Sequence, residues 1–543
     1  MSSHRGGTAD LHRSNFHDEL CSRAQPPTIC TWRSDMIDQD KAASRPMAVA
    51  AALTGRSIDD MAFHEQLVVL TGELRALRTP NGRWIFVDAV RLLLRVAGKL
   101  LIDIPEGLDD LTQEVRQICE TCYVRQQPTI RIGQLDSDLS DAKAILNIGC
   151  QPRSGAPCVS VSANGWLCRA TSGPASLDGD FSQANPISSL FAASIGVSEV
   201  FKRLIEMSDD ISPPIENMTF SLFDHSDDPG DIGPTLPSTL EIPNTLLVGG
   251  GAIGSGVALL AAQLALRGKL HVVDKQQYAD ENMGTCVLME RNGWSKRGKA
   301  ARLAEWISDN GSATASGERD FIADAASRET CQALAPSVVI NGLDDVVARH
   351  DAQMLWPDII LDGGINNLGA AVVQHRLDNL GKACLRCTFK LPEVDTHAMQ
   401  ADLTGLDIRA LIEPGRQLTA EDLESAAPDK RERLRKQMSE GKTICSIVSE
   451  AAMARLGVNL DAEFRPSVPF VATAAASLVM AEFAKYLLNP SAAYHQTTVF
   501  GSLFLGATSS ARINRAADPS CLCVIHRETI LSSKVRLRQH LEV

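Results

Sequence analysis

The sequence predicts an α/β protein built of two similar halves, and three observations support this fold class. The segment "NTLLVGGGAIGSGVALLAAQLALRGKLHVVD", from Asn244 to Asp274, reads as a strand, a glycine turn, a helix and a second strand. Before it, strand-like and helix-like runs alternate, which indicates a largely parallel sheet covered by helices. Two apolar helical stretches, one in each half, resemble each other. At 543 residues the chain is long enough for several cores.

Composition and charge limit the classes of function. Apolar residues make up 44% and charged residues 22% of the chain, as in a soluble globular protein. No run reaches the about 20 apolar residues of a membrane span, so we expect no membrane partner. The net charge of −13 argues against a nucleic-acid partner, because phosphate backbones bind basic surfaces. The amino terminus lacks the apolar core of a signal peptide, so we expect a cytoplasmic protein whose 14 cysteines are reduced.

The internal resemblance rests on two stretches. The first, "NPISSLFAASIGVSEVFKRLIE", begins at Asn185, and the second, "PSVPFVATAAASLVMAEFAKYLLN", begins at Pro466. Each starts with Pro and Ser, continues with small residues and ends with an acid, Phe, Lys and large aliphatic residues. The corresponding residues are Glu199, Phe201 and Lys202 in the first stretch and Glu482, Phe483 and Lys485 in the second. This indicates a duplication, although two unrelated Ala-rich core helices would also look alike.

Three segments follow from these patterns. Residues 1–43 are polar and without periodicity, and we interpret them as a flexible tail. Residues 44–236 carry strand-like runs such as "KLLIDIP" and "AKAILNIG", but no glycine-rich loop follows their first strand. A stretch rich in Asp, Gly and Pro, "DHSDDPGDIGPTLPST", links them to residues 237–543, which contain the glycine motif.

The glycine motif predicts a nucleotide site. Gly249, Gly251 and Gly254 form G-x-G-x-x-G between a strand and a helix, an arrangement that lets backbone N–H groups and the positive end of the helix approach phosphate oxygens. Asp274 ends the next strand, about 20 residues past the loop, where an acid binds ribose hydroxyls. The motif alone fits the dinucleotide of an NAD-dependent oxidoreductase as well as ATP, and it also fits a purely structural turn.

Polar residues in a fixed order follow the glycine motif. They occur in "VVDKQQYADENMGTCVLMERNGWSKRGKAARLAEWI" and "SVVINGLDDVVARHDAQMLW". The set comprises Asp274, Asn282, Lys299, Asp344 and Arg349. In their order and spacing these residues resemble the ubiquitin-activating enzyme superfamily, which includes the ThiF and MoeB adenylyltransferases, from Asn244 to about Cys523. The resemblance implies a Rossmann-like ThiF-type adenylation domain preceded by a degenerate, inactive adenylation-like α/β domain.

The resemblance implies ATP and Mg²⁺ as cofactors and a role for each residue of the set. Lys299 would neutralise phosphate charge, and Asp344 would hold the Mg²⁺ that serves the leaving pyrophosphate. Asn282 would orient a phosphate or a metal-bound water. Arg349 would bind a phosphate or pair with a nearby acid. The candidate acids are Asp345 and Asp351.

One position departs from the family pattern. Thr285 stands where family members usually carry an arginine. A threonine offers a hydroxyl but no charge, so phosphate stabilisation must be weaker or come from other cations. The nearest candidates in sequence are Arg291, Lys296 and Arg297.

Two cysteine pairs predict a structural zinc site. Cys384 and Cys387 lie in "ACLRCTF", and Cys521 and Cys523 lie in "PSCLCVIH". Four thiolates from two corners make a closed tetrahedral Zn²⁺ site without a catalytic water, and many members of the superfamily carry one at these two places. The alternatives are four buried free cysteines, or His526 as a substitute ligand.

Cys445 is the candidate acyl acceptor, in a segment of about 400–460 that corresponds to the family's mobile crossover segment. A thiolate attacks an activated carboxyl group and forms a thioester. Lys442 would lower the pKa of this thiol. The alternative is that Cys445 has only a structural role, as a small buried hydrophobic residue. Ser446 and Ser449 are neighbouring hydroxyls that would form an ester instead.

The resemblance implies an activating enzyme that adenylates the C-terminal carboxylate of a ubiquitin-like protein. The acyl group would pass to Cys445 and then to a conjugating-enzyme-like protein. One alternative is a biosynthetic adenylyltransferase that feeds a sulfur carrier or modifies a peptide. Others are an NAD-dependent oxidoreductase and a non-catalytic scaffold. The sequence leaves the identity of the substrate and the oligomeric state open, with a homodimer as one option.

Overall fold

The computed structural model describes residues 37–543 apart from 57–62, 134–138, 178–180, 211, 229, 328–334, 367–368, 380, 391–395, 412–415, 445, 449–450, 452–466, 504–509 and 542–543. The first described element is helix α1, Gln39–Thr54. The Asp38 carboxylate caps it by accepting hydrogen bonds from the backbone N–H groups of Asp40 and Lys41. The last residues of the segment 1–43, which the sequence assigned to a tail, therefore lie in a capped helix.

The described part of the first half forms a seven-stranded sheet with helices. Its strands are β1 Leu67–Gly72, β2 Lys99–Ile104, β3 Thr129–Ile132, β4 Ala142–Ile148, β5 Cys158–Asn164, β6 Leu167–Ser172 and β7 Met218–Ser221. Its helices after α1 are α2 Leu74–Leu77, α3 Pro80–Val96, α4 Asp109–Thr121 and α5 Pro186–Leu204. The strand order is β3-β2-β1-β4-β5-β6-β7, parallel as far as β5 and antiparallel beyond it.

The second half contains an eight-stranded sheet and a separate parallel pair of β8 with β10. Its strands are β8 Leu240–Glu241, β9 Thr245–Val248, β10 Leu266–Arg267, β11 Lys269–Val273, β12 Thr314–Glu318, β13 Val338–Asn341, β14 Ile359–Asn366, β15 Gly369–Arg376, β16 Thr497–Ser502 and β17 Ser510–Ile513. The order is β12-β11-β9-β13-β14-β15-β16-β17, again parallel in its first five strands.

The helices of the second half begin with α6, which directly follows β9. They are α6 Ala252–Gln263, α7 Lys299–Asn310, α8 Ile322–Ser327, α9 Val346–Gln353, α10 Leu385–Thr388, α11 Thr396–Thr404, α12 Ile408–Leu411, α13 Ala420–Ser425, α14 Arg431–Ser439, α15 Pro469–Leu488, α16 Leu522–Ile525 and α17 Arg527–Leu541. Strands alternate with helices in both halves, so the predicted α/β class is confirmed.

The two sheets share one topology, which supports the duplication. In each, the third, second and first strands lie side by side before the fourth, and antiparallel strands complete the sheet. The long helices α5 and α15 hold equivalent places, and each contains a buried Glu-x-x-Lys ion pair. The pairs are Glu199 with Lys202 and Glu482 with Lys485. Phe201 and Phe483 differ by one position relative to these acids, so the likeness of the two helices lies in their charges and small residues.

Helices α5 and α15 pack against each other and join the halves. The hydroxyls of Ser194 and Thr473 lie 2.7 Å apart between them. The rings of Phe201 and Phe470 lie 5.5 Å apart. Small residues allow this close approach, and the largest group of buried apolar side chains is continuous from one half to the other.

Helix α15 is also, by length and composition, apolar enough to cross a membrane. However, 78% of its most apolar part is buried inside the protein. The core helix of a globular protein meets the same criteria, so this helix is weak support for a membrane span.

The first half carries a carboxylate near the end of its first strand instead of a glycine loop. Strand β1 leads into the short helix α2 through Glu73, whose Oε1 accepts a hydrogen bond of 2.6 Å from the Gln151 backbone. A Cβ at Gly149 would lie 2.5 Å from the same oxygen. This part of the described first half therefore shows no open phosphate cradle.

Helices α11 to α14 form a small region between β15 and α15 with a core of its own. Leu406, Leu418, Leu434 and Ile444 are buried there. In α13, Thr419 and Asp422 cap the helix reciprocally, and Arg416 pairs with Asp422 at 2.6 Å. This region coincides with the segment of about 400–460 in which the sequence places the acyl acceptor.

Candidate nucleotide site and cysteine cluster

The glycine loop between β9 and α6 requires glycine at two positions. Gly249 has a φ of +96°, in the left-handed region. A Cβ at Gly254 would lie 2.0 Å from the Gly249 carbonyl oxygen, so a side chain there would clash with the loop backbone. At Gly251, by contrast, a Cβ would have no described atom within 4 Å. Gly251 therefore faces open space, and a phosphate can approach the backbone from that side.

The first turn of α6 provides backbone donors for an anion. Gly251 precedes the helix, and within the described residues no side chain caps this end. The first N–H groups of a helix have no partner inside the helix, and the amino end carries partial positive charge. Together with the open side of the loop, this end of α6 is suited to phosphate.

The Asp274 carboxylate holds the loop in place. It is buried, and its two oxygens accept hydrogen bonds of 2.7 Å from the backbone N–H groups of Gly250 and Gln276. Each carboxylate oxygen can accept a second hydrogen bond, so these contacts leave capacity for a ribose hydroxyl. The structure thus gives Asp274 a loop-ordering role, and its contact with ribose stays a prediction.

Lys299 lies beside the loop. It is the first residue of α7, it is buried, and its Nζ donates to Gln276 Oε1 at 2.7 Å. A Cβ at Gly250 would be 3.1 Å from the Lys299 Cβ, which places the two residues in contact. The Lys299 Nζ lies 5.9 Å from the centre of the Tyr278 ring. The Tyr278 hydroxyl donates a hydrogen bond of 2.8 Å to the Gly250 carbonyl oxygen. Lys299 is therefore a buried cation in contact with the glycine loop.

Asn282 and Thr285 lie in and after a short 3-10 helix, Asp280–Gly284. The Asn282 Oδ1 accepts a hydrogen bond of 2.9 Å from the Ala279 backbone. The Thr285 hydroxyl donates to the Asn282 carbonyl at 3.3 Å, and both residues are buried. The contacts of these side chains shape the turn, and the predicted role of Asn282 toward a phosphate or a water stays a prediction.

Two of the three cations suggested as replacements at Thr285 are engaged elsewhere. Arg291 donates to the Tyr123 carbonyl of the first half at 3.1 Å. Arg297 pairs with Glu305 at 2.6 Å, and Lys296 is exposed with a φ of +65°. The sequence neighbourhood of Thr285 therefore does not identify a substitute for the missing arginine.

Helix α1 covers the Thr285 turn from the first half. A Cβ at Gly284 would lie 2.4 Å from the Ala42 carbonyl oxygen, so helix and turn are in contact. Burial raises the pKa of the neighbouring Cys286 thiol, while the charges of Lys299 and of Arg45 in α1 act to lower it. Positive charge near this turn thus comes from α1 as well as from α7.

Asp344 lies in the loop after β13, next to the glycine loop. β13 pairs with β9, and a Cβ at Gly249 would lie 3.0 Å from Leu343 Cδ2. Asp344 is exposed, and its carbonyl oxygen accepts a hydrogen bond of 2.9 Å from Arg349 Nη1. The structure therefore brings together the glycine loop, Lys299 and the predicted metal-binding acid at one edge of the sheet.

Arg349 pairs with an acid that the sequence did not identify. Its Nε lies 3.0 Å from both carboxylate oxygens of Asp362 in β14. The Asp345 carboxylate caps α9 by accepting from the Ala348 backbone at 2.8 Å. Asp362 ends the apolar run "IILD" before two glycines, a strand-end signal that would have marked it as a candidate.

The residues at this edge fit a magnesium ion. Asp344 offers carboxylate oxygen, the ligand type that Mg²⁺ prefers, and it is an exposed residue that directly follows Leu343, which contacts the glycine loop. A single protein carboxylate with water and phosphate ligands is a common Mg²⁺ environment.

The four predicted cysteines form one cluster. Their sulfur atoms lie within 4.8 Å of one another. Three of the separations are 3.7 Å for Cys384 to Cys387, 3.7 Å for Cys384 to Cys521 and 3.6 Å for Cys387 to Cys523. A tetrahedral site with Zn–S bonds of about 2.3 Å requires S–S separations of about 3.8 Å, so the cluster fits zinc. His526 is exposed and is not part of the cluster.

The candidate acyl acceptor Cys445 and the alternative Ser449 lie outside the described residues. The neighbouring Ser446 is partly buried, and its backbone N–H donates to the Thr443 hydroxyl at 3.3 Å. Lys442 pairs with Glu440 at 3.1 Å, so part of its charge is already balanced. The role of Cys445 stays a prediction.

Fold and site together define an α/β protein with two Rossmann-like halves, the second of which carries an open glycine loop. No protein-family model matches the chain, and no curated protein matches it. Among solved structures, E. coli MccB with succinimide is 13% identical over 52% of this chain and 66% of that chain, with a TM-score of 0.32. E. coli MccB with ATP is 13% identical over 52% of this chain and 65% of that chain, with a TM-score of 0.30.

A third match is the microcin C7 biosynthetic enzyme MccB in complex with N-formylated MccA. It is 11% identical over 67% of this chain and 97% of that chain, with a TM-score of 0.32. Identities and TM-scores this low assign neither a family nor an activity.

Proposed function

We propose that the second half binds ATP with Mg²⁺ and transfers AMP to a carboxylate, as an adenylyltransferase. The observation that carries the proposal is the meeting of three features at one sheet edge: the open glycine loop, the buried Lys299 and the exposed Asp344. A glycine loop alone fits any nucleotide. The buried cation Lys299 suits the negative charge of a triphosphate, and the exposed acid Asp344 suits the metal ion that accompanies it.

In the proposed reaction, a carboxylate oxygen of the substrate attacks the α-phosphorus of ATP. The bond from this phosphorus to the oxygen that bridges to the β-phosphate breaks, and pyrophosphate leaves with that electron pair. The N–H groups of the loop and of the first turn of α6 bind phosphate oxygens, and Lys299 neutralises charge that develops on them. Mg²⁺, held by Asp344, would stabilise the leaving pyrophosphate.

The proposed substrate is the C-terminal carboxylate of a ubiquitin-like protein, and the proposed acceptor is Cys445. The thiolate attacks the carbonyl carbon of the acyl-adenylate, AMP leaves, and a thioester forms that a conjugating-enzyme-like protein accepts. Support comes from the sequence resemblance and from the position of Cys445 after the small helical region formed by α11 to α14. The four-cysteine cluster would hold a structural Zn²⁺ away from the chemistry.

Calorimetric titration with ATP tests the nucleotide part of this proposal. Wild-type protein is expected to bind ATP more tightly with Mg²⁺ than in chelator. Lys299→Ala is expected to weaken binding by about tenfold or more, because a phosphate loses its buried counter-charge. Lys296→Ala is the matched control, since this lysine is exposed three residues away, and its affinity should be that of wild type. Binding of NAD⁺ or NADH without binding of ATP would contradict adenylation.

A second experiment tests the acyl acceptor. With ATP, Mg²⁺ and a small protein ending in Gly that is encoded beside the gene, wild type should give an adduct that thiol reductant cleaves. Cys445→Ala should retain pyrophosphate exchange but lose the adduct, and Ser446→Ala should retain both. An adduct that persists in Cys445→Ala favours the biosynthetic alternative. An adduct that survives reductant but yields to base points to Ser446 or Ser449.

A further inference from the structure

Asp362 is a buried acid that the proposed reaction does not use directly. It lies in β14, paired in register with Asn341 of β13, and it is 1% exposed. An ionised carboxylate at this depth is costly unless several donors surround it. The contacts of Asp362 show which donors surround it and what they hold in place.

Two side chains from different elements surround the Asp362 carboxylate. Arg349 from α9 places its Nε 3.0 Å from both oxygens, and Asn341 donates its amide Nδ2 to one of them. The Arg349 guanidinium also lies 4.4 Å from the centre of the Phe389 ring. The direction of the guanidinium is therefore fixed by an anion on one side and by an aromatic face on the other.

The same guanidinium holds the backbone of the predicted metal-binding residue. Arg349 Nη1 donates to the Asp344 carbonyl oxygen at 2.9 Å. The next residue, Asp345, caps α9 through its contact of 2.8 Å with the Ala348 backbone. The backbone of Asp344 is thus held both by the helix that follows it and by a side chain anchored in the sheet.

We infer that Asp362 is a positioning residue for Asp344. It orients Arg349, and Arg349 fixes the backbone from which the Asp344 carboxylate reaches the metal ion. Asp362 itself touches neither nucleotide nor metal. The metal role of this link rests on the proposed function, whereas the link between Asp362, Arg349 and Asp344 exists in the protein without nucleotide.

Protonation of Asp362 should weaken this link. Burial raises the pKa of Asp362 to about 6, against the lowering effects of Arg349 and Asn341. Among the described residues, these two side chains, from α9 and β13, are the ones that hydrogen-bond to the carboxylate. A protonated carboxyl is a weaker acceptor for a guanidinium, so Arg349 and the Asp344 loop should loosen as pH falls through about 6.

Hydrogen exchange tests the link in the protein without nucleotide. In Asp362→Asn, the backbone amides of residues 342–348 should exchange roughly tenfold faster than in wild type at pH 7.5, because opening of the loop is no longer opposed by an oriented Arg349. Asp358→Asn is the matched control. Asp358 precedes the same strand at its other end and pairs with Lys534 at 4.0 Å, so exchange in residues 342–348 should stay as in wild type.

ATP titration tests the consequence for metal. The gain in ATP affinity that Mg²⁺ gives the wild type should be lost in Asp344→Ala and largely lost in Asp362→Asn, and the double variant should lose no more than Asp344→Ala alone. Binding of ATP in chelator should change little in all three. If instead the double variant loses as much of the Mg²⁺-dependent ATP affinity as the two single variants together, Asp362 acts independently of Asp344. That result would overturn the inference.

A further variant separates positioning from a loss of stability. Asp362→Asn leaves Arg349 buried without its anion, whereas Asp362→Asn with Arg349→Gln removes both charges and restores a neutral interior. Folded protein with both Asp362→Asn and Arg349→Gln should still show fast exchange in residues 342–348, and Mg²⁺ should not increase its affinity for ATP. Wild-type exchange in folded Asp362→Asn would overturn the inference. Fast exchange in the variants together with no ATP binding by wild type would overturn the proposed function and the metal role, but not the structural link.

Discussion

The glycines of the loop meet different physical requirements, and substitution should separate them. Gly254→Ala should lower the free energy of unfolding by about 2 kcal/mol or more, because the added methyl group meets the Gly249 carbonyl oxygen. Gly251→Ala should change it by less than about 0.5 kcal/mol, because the space is open there. In the proposed function a phosphate contacts the loop backbone on this open side, so the added methyl group should lower ATP affinity by about tenfold or more.

Urea unfolding and calorimetric ATP titration check this pair of substitutions. Each variant serves as the control for the other, because both add one methyl group to the same loop. Wild-type ATP affinity in folded Gly251→Ala would show that phosphate does not approach the loop from this side. A Gly254→Ala protein as stable as wild type would show that the loop can move away from α6.

Arg349 illustrates which contacts a sequence can predict. The glycine spacing, Asp274 and Lys299 could be found because neighbours in sequence carry the pattern, and the structure places them together. The sequence offered Asp345 and Asp351 as partners of Arg349 because they lie close along the chain. The observed partner is Asp362, which the register of β13 and β14 brings under α9. Such a contact depends on sheet register, which spacing along the chain does not give.

The turns at α10 and α16 bring the four-cysteine cluster together. We expect about one Zn²⁺ per chain, and chelation should lower the melting temperature because a closed Cys₄ site contributes folding energy. Cys384→Ser should lose the metal. Cys168→Ser is the control, since Cys168 is buried in the first half outside the cluster. Metal analysis with thermal unfolding checks this, and native protein free of zinc would refute it.

Helices α5 and α15 show how much of the packing between helices can be predicted from the sequence. Their composition indicated a duplication, and the shared strand order supports it. The sequence did not indicate that α1 packs on the turn that contains Thr285, since about 240 residues separate them and the contact arises only after both halves fold. The sequence also did not predict a separate core in the segment of about 400–460, because the apolar residues of that core are spread over the short helices α11 to α14 and the turns between them.

The first half, which carries no glycine loop in its described residues, packs against α6, the helix that follows the glycine loop of the second half. Asp88 of α3 contacts the end of α6, the helix that begins at the glycine loop. Gln263 Nε2 lies 3.2 and 3.3 Å from the two Asp88 oxygens. Gln263 Oε1 is buried without a partner among the described residues. A protonated Asp88 can donate to that oxygen, so an acid–amide pair would satisfy both side chains across the two halves.

This contact predicts a pH-dependent stability. Burial raises the pKa of Asp88 from its ordinary 3.8 to about 7, so the folded protein holds this proton more tightly than the unfolded chain. The stabilising effect of the proton is fully present below pH 3.8 and is lost as pH rises to about 7. Asp88→Asn keeps the shape of the side chain without its charge, so it should exceed wild type in unfolding free energy by roughly 4 kcal/mol at pH 8 and come close to wild type near pH 4. Urea unfolding across this range measures the difference. A constant difference at all pH values would mean that Asp88 stays ionised, and that charge rather than a proton joins the two halves.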